Sequence, residues 1–444
     1  MIALLLGYMW LFIHRPFEVW AWMGAIRLER VYMITCLIFW FFLHEKSVVR
    51  NRNVLAILGI CAAILFSDLM TNDTGKTNIA VEEWMKMLVY ALLILVSVRG
   101  EKEFKILMTG FSVIFFFYML HSYYEFKFNG RHVFRMGIPR LCGIGETMSD
   151  PNSFGASVVY SLPLLVPLWL LFRGKLAILS RTFCVLYMAL AVICILDTGS
   201  RAAMIGMLAF VMMTVVFSKH RVKIMLVFVF FAPIMWLNMD ARMQNRYLTI
   251  IDPSKGPANA QESAEGRVEG LKTGLMLFQK SPIYGVGPGQ SQNYTMTKLQ
   301  THNFLGQVLG ELGAVGLAAF IFLCITISLN YLTSRFLFKI HSRLDANADD
   351  YLLSVSHATF VAMILLLLLG LGSHNGYRYT WIWFAAFQGF AVEALRKRAS
   401  DAVIASAEKE QEAVSQWERA FCLQIPYGNL AGCSVESDAE KKLR

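Results

Sequence analysis

Apolar residues run in long unbroken stretches, separated by short polar connections, from one end of the chain to the other. The stretches fall at 1–13, 31–43, 54–70, 83–98, 105–123, 153–172, 183–197, 201–218, 222–239, 303–331, 353–371 and 379–395. A helix rises about 1.5 Å per residue, so most of these runs approach the roughly 30 Å of a hydrocarbon core. Backbone amides and carbonyls find no water there, and a helix satisfies them within the segment. Short alternating segments are absent, which argues against an outer-membrane barrel. The pattern predicts an all-α, polytopic transmembrane helical bundle of about 12 spans. The first two runs are short, which leaves a re-entrant hairpin or a start further upstream open. The first has neither the basic start nor the small-residue cleavage site of a signal peptide.

Two connections are long, 124–152 and 240–302. The expected organisation is membrane helices 1–9 within 1–239, a loop or cap at 240–302 bearing short helices, helices 10–12 within 303–398, and a partly disordered tail at 399–444. Within the cap, Val268, Leu271, Leu275 and Phe278 recur at helical spacing between Glu265, Glu269 and Lys272. This predicts an amphipathic helix over 263–279 lying along the membrane surface. The sequence "SPIYGVGPGQ" (281–290) then predicts a tight irregular loop.

Composition agrees: 56% of residues are hydrophobic and only 16% charged, against about 25% charged in soluble domains. Basic residues cluster on every second connection: Lys46/Arg50/Arg52, Arg99/Lys102/Lys105, Arg173/Lys175/Arg181, Lys219/Arg221/Lys223, Arg335/Lys339/Arg343 and Arg396/Lys397/Arg398. That places these loops, both termini and the tail in the cytoplasm, and the two long connections outside. Arg15, Arg27 and Arg30 on the first outer loop run against the rule. The net charge of +10 follows largely from the clusters, and no basic stripe with interleaved aromatics points to nucleic acid. The eight cysteines are scattered, without the spacing of a disulfide framework or a zinc site.

Polar residues at helix mouths carry the candidate chemistry. In "THNFLGQVLGELGAVG" (301–316), Asn303, Gln307 and Glu311 fall on one helical stripe about 12 Å long. Gly306, Gly310 and Gly313 form a neighbouring stripe that permits close helix approach. The polar stripe suggests a water-filled cavity reached from outside, and an intramembrane Glu suggests function. Equally, Thr301 or Asn303 can cap the helix while His302 sits in the interface. Arg201, in "LDTGSRAAMIG", can snorkel to headgroups or present its fork to a pyrophosphate. Arg267, in "AEGRVEG", can pair with Glu265 or Glu269 or join that anion site. In "SDPNSFG", Asp150 reads as an N-cap and Pro151 as the first helical residue, with Asn152 beside them, so a helix N-terminus meets the outer face. In "SHNGYRYTW", Arg378 belongs to an aromatic belt or to the site.

Taken in order, "GSRAA" (199–203), "GR" (266–267) with "SPIYGVGPG" (281–289, including Gly287) and "HNFLGQVLGELGAVG" (302–316) resemble the O-antigen ligase and Wzy-type polymerase superfamily over roughly 140–395. "RPFEVWAW" near the N-terminus is similar to the O-glycosylation ligases of exosortase-type systems. The resemblance implies an inner-membrane enzyme that takes a glycan from a polyprenyl-pyrophosphate carrier at the periplasmic face. It passes the glycan to a hydroxyl of a lipid or protein acceptor, with inversion, without a metal and without a cofactor. Arg201 and Arg267 would hold the pyrophosphate and His302 would act as base. Relatives often carry a tryptophan shortly after the loop arginine, where this chain reads "VEGLKTG". No DxD motif stands on the outer side. A transporter or flippase would instead need broken helices and midplane charges. A non-catalytic assembly partner would not need the Arg/Arg/His set. Ligase and polymerase differ only in acceptor, and the sequence does not separate them.

Overall fold

The computed structural model describes residues 1–42, 51–71, 78–135, 137–145, 148–172, 174–218, 220–237, 239–250, 252, 259–294, 302–345 and 348–423, without the side chains of 135, 259–265 and 418–423. Each of the twelve apolar runs is helical. They are α1 (Ile2–His14), α2 (Leu28–Phe41), α3 (Arg52–Thr71), α4 (Ile79–Ser97), α5 (Gly100–Phe128), α6 (Pro151–Leu170, with a 3-10 turn at Leu162–Leu164), α7 (Lys175–Thr198), α8 (Arg201–Phe217) and α9 (Arg221–Leu237), then α12 (Phe304–Leu344), α13 (Tyr351–Gly370) and α14 (Tyr379–Leu423). Between them the cap supplies α10 (Ala241–Leu248) and α11 (Asn259–Lys280).

By length and composition, α3, α5, α6, α7, α12 and α13 can each cross a membrane, and α1 and α8 are shorter apolar helices. One apolar core joins residues of α1 to α8 with residues of α12 to α14. The outside is apolar as well. Helix α9 buries none of its side chains and leaves Phe230, Phe231, Leu226 and Leu237 exposed. In water such a surface would drive association; against lipid tails it costs nothing. Buried polar groups, in turn, bond to each other. Asn53 on α3 donates to Gln388 Oε1 on α14 at 2.9 Å, and Asn330 on α12 donates to Asn53 Oδ1 at 2.8 Å. Such pairs fasten helices where the hydrophobic effect offers no drive.

The structure departs from the sequence reading at three places. Residues 133–140 form a small antiparallel hairpin, β1 (Val133–Arg135) with β2 (Ile138–Arg140), inside a chain expected to be all helix. The last helix does not stop with its apolar run at 395: α14 continues to Leu423, so the first part of the tail is helical. Helix α11 begins at Asn259, so Arg267 stands in its third turn rather than at its head. Val268, Leu275 and Met276 on α11 stay exposed, as a lipid-facing side would. The opposite side is no solvent face: Gly270, Gly274 and Leu277 pack on α12.

That packing fixes the cap. A Cβ added to Gly274 would lie 2.2 Å from Gly306 O, and one on Gly306 would lie 2.5 Å from Gly270 O. The two helices run parallel at backbone contact, which glycine alone allows. Below, α12 breaks at Gly313 (φ 64, ψ −159), a conformation open to glycine. The loop 282–287 fills the break. Val286 N donates to Gly310 O at 2.9 Å and Gly287 N to Glu311 O at 3.1 Å, while Ala314 N donates to Pro282 O at 2.8 Å.

Gly274→Ala should therefore destabilise the protein by about 1–3 kcal/mol or more through overpacking. Gly266→Ala, whose Cβ would meet nothing within 4 Å, should be neutral or stabilise by roughly 0.5–1 kcal/mol. Thermal unfolding of both variants in detergent checks the pair; equal behaviour would contradict the glycine contact.

Candidate active site

The site grows from helix ends at one end of the bundle. Asp150 caps α6, its Oδ2 accepting from Ser153 N at 2.9 Å, with Pro151 as the first helical residue. Ser200 caps α8 by accepting from Ala203 N, which sets Arg201 in the first turn. Asn303 caps α12, its Oδ1 accepting from Gly306 N at 3.0 Å; Thr301, the other capping candidate, lies outside the described residues. The capping reading of Asp150 and Asn303 is what the hydrogen bonds show; the three capped helix mouths are the starting point of the candidate site.

The connection from α13 to α14, residues 371–378, is the hub. Asn303 Nδ2 donates to Leu371 O at 3.1 Å, and Gly376 N donates to Gln307 Oε1 at 3.0 Å. His374 Nδ1 lies 3.3 Å from His302 Nδ1. Arg267 packs on Gly372, where an added Cβ would be 3.0 Å from its Nε. Arg378 donates from Nη1 to Ser157 Oγ at 2.8 Å and to Ser153 O at 3.4 Å. Asn375, buried, holds the loop in place by donating to Leu366 O and Tyr160 OH and accepting from Trp381 Nε1.

The electrostatics of the arginines are unusual. Burial, then the charge of Arg201, depress the pKa of Arg267, so the two guanidiniums feel one another. Arg267 has no hydrogen-bond or ion-pair partner among the described residues. Glu269, one partner offered by the sequence, is exposed and makes no ion pair with it; the Glu265 side chain lies outside the described residues. Arg201 Nη1 donates to Thr249 Oγ1 at 3.1 Å. Two half-buried cations held together, one of them without a carboxylate, are costly alone and favourable around an anion.

The polar stripe of α12 does not line one open, water-filled path. Gln307 reaches a cavity of about 230 Å³, but Asn303 is occupied by the cap and by Leu371 O. Glu311, buried, accepts from Gly289 N at 3.0 Å and from Ser291 Oγ at 2.6 Å. Its role, like that of Gly287 (φ 107), is to hold 282–291 against α12. Asn152 accepts from Arg140 Nη2 at 2.9 Å, and Arg140 Nε donates to Thr198 O at 2.7 Å.

Three contributors went unread in the sequence. His374 stands four residues before Arg378, the residue of this stretch that the sequence singles out. Arg140 is almost fully buried beneath the Arg201 turn. Arg15 lines the 230 Å³ cavity with Phe12, Gln307, His374, Arg378 and Tyr379. It adopts a left-handed backbone (φ 47) and is paired with Glu18 and with Glu83. The arginine that spoiled the charge pattern of the first outer loop is thus neutralised inside the fold. Its one sequence signal was Glu18 three residues later. Among the described residues no three His, Cys, Asp or Glu side chains gather as metal ligands.

These features define a many-helix membrane protein with two neighbouring arginines and a histidine pair at one end of the bundle. Residues 186–321 match the Wzy_C family, described as O-antigen ligase; over this segment the chain is similar to the O-antigen ligase and Wzy-type superfamily. The segment holds Arg201, Arg267, His302 and the α12 stripe, and leaves out 371–378 and Arg15. A search of curated proteins gives no match.

Glu311→Gln turns one acceptor into a donor facing two donors. The variant should lose about 1–3 kcal/mol of stability, measured by thermal unfolding in detergent. Unchanged unfolding would mean that Glu311 is not the clamp described.

Proposed function

We propose that the protein is an inner-membrane glycosyltransferase. It moves a glycan from a polyprenyl-pyrophosphate carrier to a hydroxyl of a lipid or protein acceptor at the periplasmic face. The observation that carries this reading is Arg267, which feels the charge of Arg201, has no ion-pair partner among the described residues, and packs at Gly372 on the same connection that brings His374 to His302. The family match supports membrane glycosyl transfer of the ligase or polymerase type; donor, acceptor and face are our own reading.

The leaving pyrophosphate develops negative charge as the bond to the anomeric carbon breaks. Two planar guanidiniums can take up that charge through charge-assisted hydrogen bonds. In this reading His302 takes the acceptor proton as its oxygen attacks from the opposite side. The cavity of Arg15, Gln307, His374 and Arg378 gives the acceptor room next to the base. The chemistry needs no cofactor, and the arginines do what a DxD-bound metal does in nucleotide-sugar enzymes, so we propose a metal-independent reaction. A Wzy-type polymerase uses the same steps with a second carrier-linked glycan as acceptor. The transporter reading gains one point, the break in α12 at Gly313. However, that break is filled by 282–287, and its carboxylate neighbour Glu311 is bound rather than poised.

Losing one charge-assisted contact costs on the order of 1.5–3 kcal/mol, roughly ten- to hundred-fold in rate. Lys at Arg201 or Arg267 should lower transfer by that much at unchanged protein level, because a point charge does not reproduce the fork. His302→Gln should lower it about 10²–10⁴-fold while polyprenyl pyrophosphate still binds. Glycan profiles of a complemented deletion strain read both, and wild-type profiles from all three variants would refute the site.

Twelve crossings with the site outside put α11 beyond the membrane. A cysteine introduced at the exposed position Lys272 should react with an impermeant maleimide in intact spheroplasts. Reaction only after permeabilisation would reverse the topology and remove the carrier from reach.

A further inference from the structure

His302 and His374 approach through the same ring atom, Nδ1 to Nδ1, at 3.3 Å, with ring centroids 5.2 Å apart. Two neutral imidazoles can meet in this way only if one Nδ1 carries hydrogen and the other offers a lone pair. Three charged or titratable groups face His374: His302 from the mouth of α12, Arg378 from its own loop and Asp150 from the mouth of α6. Burial, then His302 and Arg378, press its pKa down to about 4, with Asp150 acting the other way. His374 is therefore neutral near pH 7, with one ring nitrogen able to accept. The loop also holds it still. Ser373 Oγ donates to Leu369 O at 3.0 Å on one side, and Asn375 is clamped to Tyr160, Leu366 and Trp381 on the other.

We propose that His374 is a positioning residue for the general base: its Nδ1 accepts the hydrogen of His302 Nδ1, which leaves the lone pair of His302 on Nε2 to take the acceptor proton. The inference rests on the reading of His302 as base. During transfer the acceptor oxygen forms the bond to the anomeric carbon. The bond from that carbon to the pyrophosphate oxygen breaks, and its electron pair leaves with the carrier pyrophosphate. The acceptor proton passes to His302 Nε2, from which solvent later removes it. While His302 is an imidazolium, its Nδ1–H bond to His374 becomes charge-assisted and stronger.

A carboxylate fills this place in hydrolase triads. Here a carboxylate would stand near Arg378 and on the loop against which Arg267 packs. It would pair with those cations and withdraw charge from the donor pyrophosphate. A neutral imidazole orients the base and leaves the guanidiniums to the anion.

His374→Phe keeps a ring at this position and removes the acceptor atom. Asn restores an acceptor oxygen close to the place of Nδ1. In a deletion strain complemented with each variant, His374→Phe should slow glycan transfer about ten- to hundred-fold, with protein level and polyprenyl-pyrophosphate binding unchanged. His374→Asn should recover most of the rate. In a His302→Gln background His374→Phe should have no further effect. If His374→Phe does not accumulate, His374→Gln, whose amide oxygen falls at the Nε2 position instead, takes its place. Wild-type transfer by His374→Phe, no rescue by Asn, or a full multiplicative loss in the double variant each overturns the proposal. Wild-type transfer by His302→Gln alone defeats the base assignment instead, so the two failures are distinguishable.

Discussion

A backbone or side-chain polar group without a partner costs several kcal/mol in hydrocarbon, and the architecture follows from meeting that constraint. The clearest case is α12. Its turn at Gly313 frees carbonyls and amides that no lipid can bond, and the irregular loop 282–287 enters to bond them. Ser67 on α3 donates to both Tyr284 O and Glu311 O, closing the junction from the third side. The glycines at 274, 306 and 310 let α11 approach closely enough for its following loop to reach the break. One backbone defect thus fixes the cap, and the cap carries Arg267.

The site breaks the same rule, and it does so with charge rather than with backbone. Elsewhere in the fold cations meet carboxylates: Arg15 with Glu18 and Glu83, Lys86 with Glu29 and Glu83, Arg398 with Glu101 and Asp349. Arg267 has only Arg201 for a charged neighbour of note. Arg140 and Arg378 bond to neutral oxygens instead, whereas Arg267 has neither kind of partner among the described residues, a state that an anion would relieve. That contrast within one molecule points to the site more firmly than the arginines' positions in the sequence do.

The bundle was legible in the sequence because a hydrophobic run of helical length leaves few alternatives in lipid. The caps at Asp150 and Asn303 were legible for a local reason, since a capping side chain acts within three residues. The site was half legible. Arg201 and His302 stand at helix mouths and Arg267 follows a glycine within α11, positions that a single sequence brings to notice. His374 and Arg15 act through partners 72 and 68 residues distant in sequence: His302 for one and Glu83 for the other. No spacing rule reaches so far. The stripe of α12 misled for a related reason. Asn303, Gln307 and Glu311 have the right period for a wet groove, but period says nothing of what packs on it, and loops 289–291 and 371–376 do.

This division has a consequence for acceptor choice. Under the proposed reading, both pyrophosphate arginines and the base lie within the segment that matches the family, 186–321. The cavity beside the base does not. Phe12 and Arg15 come from the N-terminus, His374, Arg378 and Tyr379 from the α13–α14 connection and its end, and only Gly289 and Gln307 of its lining from the matched segment. Donor handling and acceptor handling are thus built from different stretches of chain that meet at His302 and His374. A shared donor chemistry keeps the first set recognisable, while the second is shaped by whatever hydroxyl must enter. Ligase and polymerase then differ mainly in residues outside the matched segment. The structural contrast that separates them is to be sought in the 230 Å³ cavity and in the arginine that shapes it from the first outer turn.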